Sequence, residues 1–248
     1  MKHARLLLVL GCLLAAGCRS ARWQASDEFS DTITHAGTIT DLAAGAYGGF
    51  IAISNVLRYG DFGLGTFDGL DGEMVVWSGT VYRAGSDMRI APAPLEVKTP
   101  FAVITWFTPD RTFDVERMDQ GLFERAMALR RNNERLPQAI AVNGLYSRLH
   151  IRSVAAQPTP WRPLREALAA DSRDFILTNV SGRMVGYFMP PPFDALHPSG
   201  YHFHFISADG TTGGHVLGFD IARARIEIDA SDRIQVLVNT NASVASPR

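Results

Sequence analysis

Two histidines stand two residues apart in Tyr201-His202-Phe203-His204-Phe205, and a third, His215, follows the run Asp209-Gly210-Thr211-Thr212-Gly213-Gly214. Aromatic and apolar residues around His202 and His204 favour a β-strand, whose side chains alternate faces, so both imidazoles point the same way. The small, polar, glycine-rich run is a reversal signal, and His215-Val216-Leu217-Gly218-Phe219 can return as a neighbouring strand. On such a hairpin the three imidazoles converge. Three neutral imidazoles with an open fourth position form the ligand set of a catalytic Zn²⁺, with Zn–N distances of about 2.0–2.1 Å. A His-x-His pair alone fits an ordinary packed or surface strand. The third histidine across the turn, with the other histidines scattered along the chain, makes a metal site the favoured reading.

The elements that must hold this hairpin are mostly strands. Residues 139–154 read as one strand, with His150 and Arg152 on one face and Leu149, Ile151 and Ser153 on the other. Residues 174–188 read as a hairpin turning at Ser181-Gly182 and ended by Pro190-Pro191-Pro192, and residues 225–238 as a last hairpin. Nearer the start, residues 74–83 form a hairpin around Ser78-Gly79, and residues 99–107 a continuous apolar strand covered on both faces. The glycines of Gly60-Asp61-Phe62-Gly63-Leu64-Gly65 suit a backbone held close to something or bent through positive φ. Short helices are expected over 38–45, capped and stopped at Gly45, and over 163–170, and a short helix or turn segment over 50–59, stopped at Gly60. A longer one over 119–131 carries an apolar stripe of Leu122, Phe123, Ala126, Met127 and Leu129, with Arg125, Arg130 and Arg131 towards solvent. Strands outnumber helices and connect mostly by hairpins, which predicts an α+β fold with largely antiparallel or mixed sheet.

Composition narrows the function. Lys and Arg total 24 against 25 Asp and Glu, a net charge of −1, and no basic cluster is present, which argues against a nucleic-acid partner. Residues 1–17 read as a targeting segment: Lys2 and Arg5, a short apolar core, then Ala15-Ala16-Gly17 before Cys18. Ala15-Ala16-Gly17-Cys18 resembles the bacterial lipoprotein cleavage box, which would make Cys18 the lipid-bearing residue and the protein an exported, membrane-anchored lipoprotein on the periplasmic or cell-surface side. Ordinary secretion with Cys18 incidental is the alternative. Residues 18–30 read as a tether, and with Cys12 and Cys18 the only cysteines, the folded part has neither thiol nor disulfide. What remains is long enough for a substantial core.

Several of these pieces resemble one family. Gly60-Asp61-Phe62-Gly63-Leu64-Gly65-Thr66-Phe67 with Leu70-Asp71-Gly72-Glu73, then Thr99-Pro100-Phe101-Ala102, then Gly200-Tyr201-His202-Phe203-His204-Phe205 with Gly213-Gly214-His215-Val216-Leu217 resemble α-acetolactate decarboxylase, in order along nearly the whole chain from about residue 31. The resemblance implies two similar halves with mixed sheets, here roughly 31–135 and 136–248, and a homodimer. It implies a zinc enzyme that converts 2-acetolactate to acetoin and CO₂, the metal chelating the hydroxyl and ketone oxygens and stabilising an enediolate. Matched residue by residue, His202, His204 and His215 are the zinc ligands and Glu73 the carboxylate beside the metal. Arg152 is the arginine that positions substrate, and Thr66 lies close to that carboxylate. The family carries a second glutamate near the C-terminus, whereas Asn239-Thr240-Asn241-Ala242-Ser243-Val244-Ala245-Ser246-Pro247-Arg248 has no acidic residue. The alternative is therefore a lipid-anchored relative that binds zinc or a small acid with lost or altered turnover.

Overall fold

The computed structural model describes residues 31–131 and 133–240; the expected targeting segment, Cys18, the tether and residues 241–248 of the tail lie outside them. The chain is mostly strand, with a few short helices. The strands are β1 (Thr32–Ala36), β2 (Ile51–Ala52), β3 (Phe62–Thr66), β4 (Glu73–Trp77), β5 (Thr80–Ala84), β6 (Ile90–Pro92), β7 (Lys98–Thr99) and β8 (Ala102–Thr105), then β9 (Arg111–Asp119), β10 (Gln138–Val154), β11 (Ser172–Met189), β12 (Gly200–Ser207), β13 (Gly213–Ala230) and β14 (Arg233–Leu237). The α-helices are α1 (Ile39–Ala43), α2 (Ile53–Val56), α3 (Gln120–Arg130) and α4 (Leu164–Asp171).

Seven strands form one sheet in the order β14-β1-β8-β3-β4-β5-β6, and a second runs β10-β11-β12-β13-β9. Because β10 also pairs with β13, the strands β10 to β13 close into a ring. Each sheet draws on both parts of the chain: β9 pairs with β13, and β14 lies parallel to β1 in the first sheet. All other main-sheet pairings are antiparallel.

Period-two alternation decides which residues meet between the sheets. On β10, Ile140 and Val142 join the core of the second sheet, while Ala139 and Ala141 turn to the seam against the first sheet. Phe203 and Phe205 of β12 point into that same core of the second sheet, leaving His202 and His204 on the seam side with Ile206. In the first sheet Leu64 and Val75 face the seam, which puts Thr66 and Glu73, two positions away on their strands, on it as well. The seam is therefore apolar along most of its length and polar at one end.

Local signals act as the residue types require. Thr38 caps α1 by accepting the Asp41 N–H at 3.0 Å, and Asp119 caps α3 by accepting from Leu122 N at 2.7 Å. The β4–β5 turn uses left-handed Ser78 and Gly79, with φ of 48° and 74°. Several expectations are overturned. Residues 174–188 form no hairpin: β11 runs straight through Ser181-Gly182, because Gly182 lies flat against the Phe205 ring and the Ile206 carbonyl, where a Cβ has no room. Residues 225–238 form no hairpin either, since β14 leaves β13 to pair with β1. The expected strand over 99–107 is only β7 and β8, broken at Pro100-Phe101. On α3, Phe123 and Met127 are buried but Leu122 and Leu129 are exposed, and Arg131 stacks 3.7 Å from the centre of the Phe188 ring instead of facing water.

At another point in the protein the Asp229 side chain is buried and accepts from Thr108 N at 2.8 Å. Burial lifts this carboxyl to about 7, Asp110, Asp31 and Asp61 push the same way, and the Thr108 hydrogen bond opposes them. The unfolded chain releases the proton near pH ~4 whereas the folded protein keeps it, so this contribution is full at low pH and is lost as pH rises to about 7. Asp229→Asn should flatten the fall in unfolding free energy between pH 4 and pH 8 by roughly 2–4 kcal/mol. Denaturant titrations at the two pH values measure it, and an unchanged slope would show that Asp229 folds as the anion.

Candidate metal centre

Four positions on neighbouring strands make the centre. His204 of β12 pairs with His215 of β13, and His215 pairs on its other side with Arg152 of β10, so the three lie in one row across the second sheet. His202 lies two residues before His204 on the same face. Gly214 permits the close packing here: a Cβ on it would come within 2.6 Å of the Arg152 carbonyl oxygen and 3.2 Å of Met88 Sδ. Across the seam, Glu73 pairs with Thr66. Gly65 beside it has no room for a Cβ against the Phe101 carbonyl, which confirms the expectation of a backbone held close.

The imidazoles lie close enough together to share one ion. His202, His204 and His215 each offer a nitrogen within 4.8 Å of the others, the one such His/Cys/Asp/Glu group among the described residues. His202 Nε2 and His215 Nδ1 are 3.2 Å apart. Two nitrogens about 2.0–2.1 Å from one tetrahedral ion would be about 3.3–3.4 Å apart. His204 Nδ1 faces the Met74 carbonyl at 2.7 Å; a carbonyl only accepts, so Nδ1 carries the proton and Nε2 is left with its lone pair. Burial lowers all three pKa values, to about 4 for His204 and well below the usual histidine value for His202 and His215. Neighbouring imidazoles and Arg152 push the same way. Neutral imidazole is the ligand form, so the residues present fit a divalent, nitrogen-preferring metal such as zinc.

A cavity of about 130 Å³ opens beside the cluster. The three histidines, Glu73, Arg152 and Thr66 supply its polar groups, while Ile39 and Leu42 of α1 and Leu164 and Leu168 of α4 are among its apolar lining. Glu73 Oε2 lies 3.4 Å from His204 Nε2. Burial raises the Glu73 carboxyl to about 7, with Arg152 opposing the rise. Arg152 Nε is buried without a hydrogen-bond partner, as suits a group whose acceptor is a ligand. Thr66 donates through Oγ1 to the Gly72 carbonyl at 2.8 Å, holding the turn that leads into Glu73.

The structure thus brings together all six residues expected from sequence. Sequence reasoning missed a fourth imidazole. His197 is fully buried, and its Nε2 lies 3.1 Å from His202 Nδ1; His35 packs edge-on against it, ring centres 5.9 Å apart. Only nearness in sequence, five residues before His202, signalled it, because a loop separates the two and no strand period applies. The helical wall of the cavity was also hidden, since α1 and α4 are far apart in the chain.

The family described as alpha-acetolactate decarboxylase matches residues 33–246. The chain is 36% identical to the alpha-acetolactate decarboxylase of Methanosarcina mazei, over 82% of this chain and 71% of that protein. To that of Bacillus subtilis it is 33% identical, over 89% of each. A crystal structure of the Bacillus subtilis strain 168 enzyme superposes with a TM-score of 0.83 at 32% identity, covering 87% of this chain and 94% of that one. A Staphylococcus aureus protein of unknown function, described as similar to alpha-acetolactate decarboxylase, gives 0.80 at 27% identity, covering 83% and 88%.

Thr66→Val keeps the shape of the side chain and removes its donor. The variant should lose roughly 1–3 kcal/mol of unfolding free energy, because the buried Gly72 carbonyl loses its partner. Denaturant unfolding reads this directly; stability equal to the parent would mean that water replaces the hydroxyl.

Proposed function

Because the chain belongs to the alpha-acetolactate decarboxylase family, we propose how its residues divide the work of decarboxylating 2-acetolactate to acetoin and CO₂. The observation that carries the proposal is the meeting of three neutral imidazoles, a buried carboxyl and an unpartnered arginine nitrogen in one cavity. His202, His204 and His215 hold a zinc ion, which when bound supplies Lewis acidity towards the hydroxyl and ketone oxygens of the substrate.

The remaining steps fall to side chains. Arg152 pairs with the substrate carboxylate and orients its bond for cleavage, satisfying the buried Nε. As that bond breaks, CO₂ leaves and the electron pair stays on carbon, conjugated with the neighbouring ketone. Glu73, kept protonated by burial, delivers its proton to that carbon and gives acetoin. Ile39, Leu42, Leu164 and Leu168 keep water from competing as proton source. The N-terminal Ala15-Ala16-Gly17-Cys18 extends the proposal to a lipid anchor on Cys18 outside the cytoplasm, and the resemblance extends it to a homodimer.

Purified protein with measured zinc should release acetoin from racemic 2-acetolactate. Chelation should abolish the activity and zinc restore it; a fully loaded protein inert towards this acid would end the reading. Glu73→Gln should lower kcat at least a hundredfold while zinc stays near one per chain, and retained activity would remove Glu73 from the proton step. In a bacterial host, Cys18→Ser should move the protein from the membrane to the soluble exported fraction.

A further inference from the structure

The proposed ligands leave a buried histidine unassigned. His197 follows a turn that starts in the 3₁₀ segment Pro191–Phe193, where Leu196 N and His197 N both donate to the Phe193 carbonyl, at 2.9 and 3.1 Å. That turn is itself tied to α1: Ile39 N donates to the Leu196 carbonyl at 3.1 Å, and Thr40 Oγ1 to the Ala195 carbonyl at 3.0 Å. Around the His197 ring stand Phe101, Tyr187 and His35. The ring has little freedom.

Its hydrogen bonds have only one consistent assignment. His197 Nδ1 lies 2.9 Å from the Pro198 carbonyl, which only accepts, so Nδ1 carries the proton. In a neutral ring Nε2 is then an acceptor, and a second proton there would charge a fully buried ring against which no carboxylate acts among the described residues. His202 Nδ1, 3.1 Å away, must therefore be the donor. A neutral His202 that is protonated on Nδ1 has a free lone pair on Nε2, the atom that faces His215 Nδ1 at 3.2 Å.

We propose that His197 is a positioning residue of the metal centre: by accepting the Nδ1–H of His202, it holds that ring in the tautomer and orientation that present Nε2 to the ion. The inference rests on the metal reading above and adds to it an outer partner for one ligand. Such partners raise ligand basicity as well as fixing the ring, and their loss typically costs about 10–100-fold in metal affinity. Packing alone asks only for a ring of this size at position 197. The assignment asks for an acceptor.

Two variants separate those demands. His197→Phe keeps the ring and removes the acceptor; His197→Gln supplies an amide oxygen near the place of Nε2. Cobalt(II) and zinc affinities are measured by chelator competition on the full chain, with the visible spectrum of the cobalt form recorded alongside. His197→Phe should bind about 10–100-fold more weakly, with an altered cobalt spectrum, and His197→Gln should restore affinity to within about threefold. Parental affinity and spectrum in His197→Phe would overturn the proposal. Should His197→Phe not fold, ¹⁵N-histidine spectra of the zinc-loaded parent decide instead: His202 protonated on Nδ1 supports the proposal, and His202 protonated on Nε2 overturns it. A parent that binds neither metal would sink the metal reading itself, an outcome distinct from a metal-binding parent whose variants match it.

Discussion

One hydrogen bond ties the two sheets together at the histidine cluster, from His204 Nδ1 to the Met74 carbonyl at 2.7 Å. It does two things at once. It spends the ring proton of His204 on the nitrogen away from the cluster, and it fixes β12 against β4. Glu73 precedes Met74 on β4, so its carboxyl is brought to 3.4 Å from His204 Nε2 by strand register as well as by its own rotamer. The spacing between Glu73 and His204 is therefore a property of two rigid strands, which hold geometry better than a loop does.

The second constraint is burial in the seam. An ionised side chain is costly where it is stripped of water, so burial shifts the imidazoles and Glu73 towards their neutral forms, the imidazole pKa values down and the carboxyl up. These are the forms in which a histidine ligates a metal and a glutamate donates a proton. The same burial leaves the cation of Arg152 with an unpartnered Nε, a gap that the carboxylate of the proposed substrate would fill. The proposed binding and chemistry thus share one physical setting.

Much of this was legible in the chain. The alternation of aromatic and histidine residues in 201–205 gave both the strand and the shared face of His202 and His204, and the helix over 38–45 was marked as capped, which Thr38 does. Glu73 and Arg152 were found only through the family resemblance, because nothing local to either says that β4 packs on β12 or that Arg152 lies beside His215. Ser181-Gly182 was misread for a related reason. A glycine in a strand looks like a turn until the Phe205 ring lying on it is known. His197 escaped because its link to His202 runs through a loop. Tertiary contact, not local preference, decided each of these.

The pairing of β14 with β1 has a consequence in time. Thr32 lies beside Arg233, and the Thr34 hydroxyl reaches Gln235 across 201 positions of sequence. During synthesis β1 can pair with β8, but its other edge has no native partner until β14, about two hundred positions later, emerges. Contacts so distant are slow to form, and an unpaired edge invites pairing with foreign strands. β1 waits for β14, and a chain truncated before β14 would be left with that edge open.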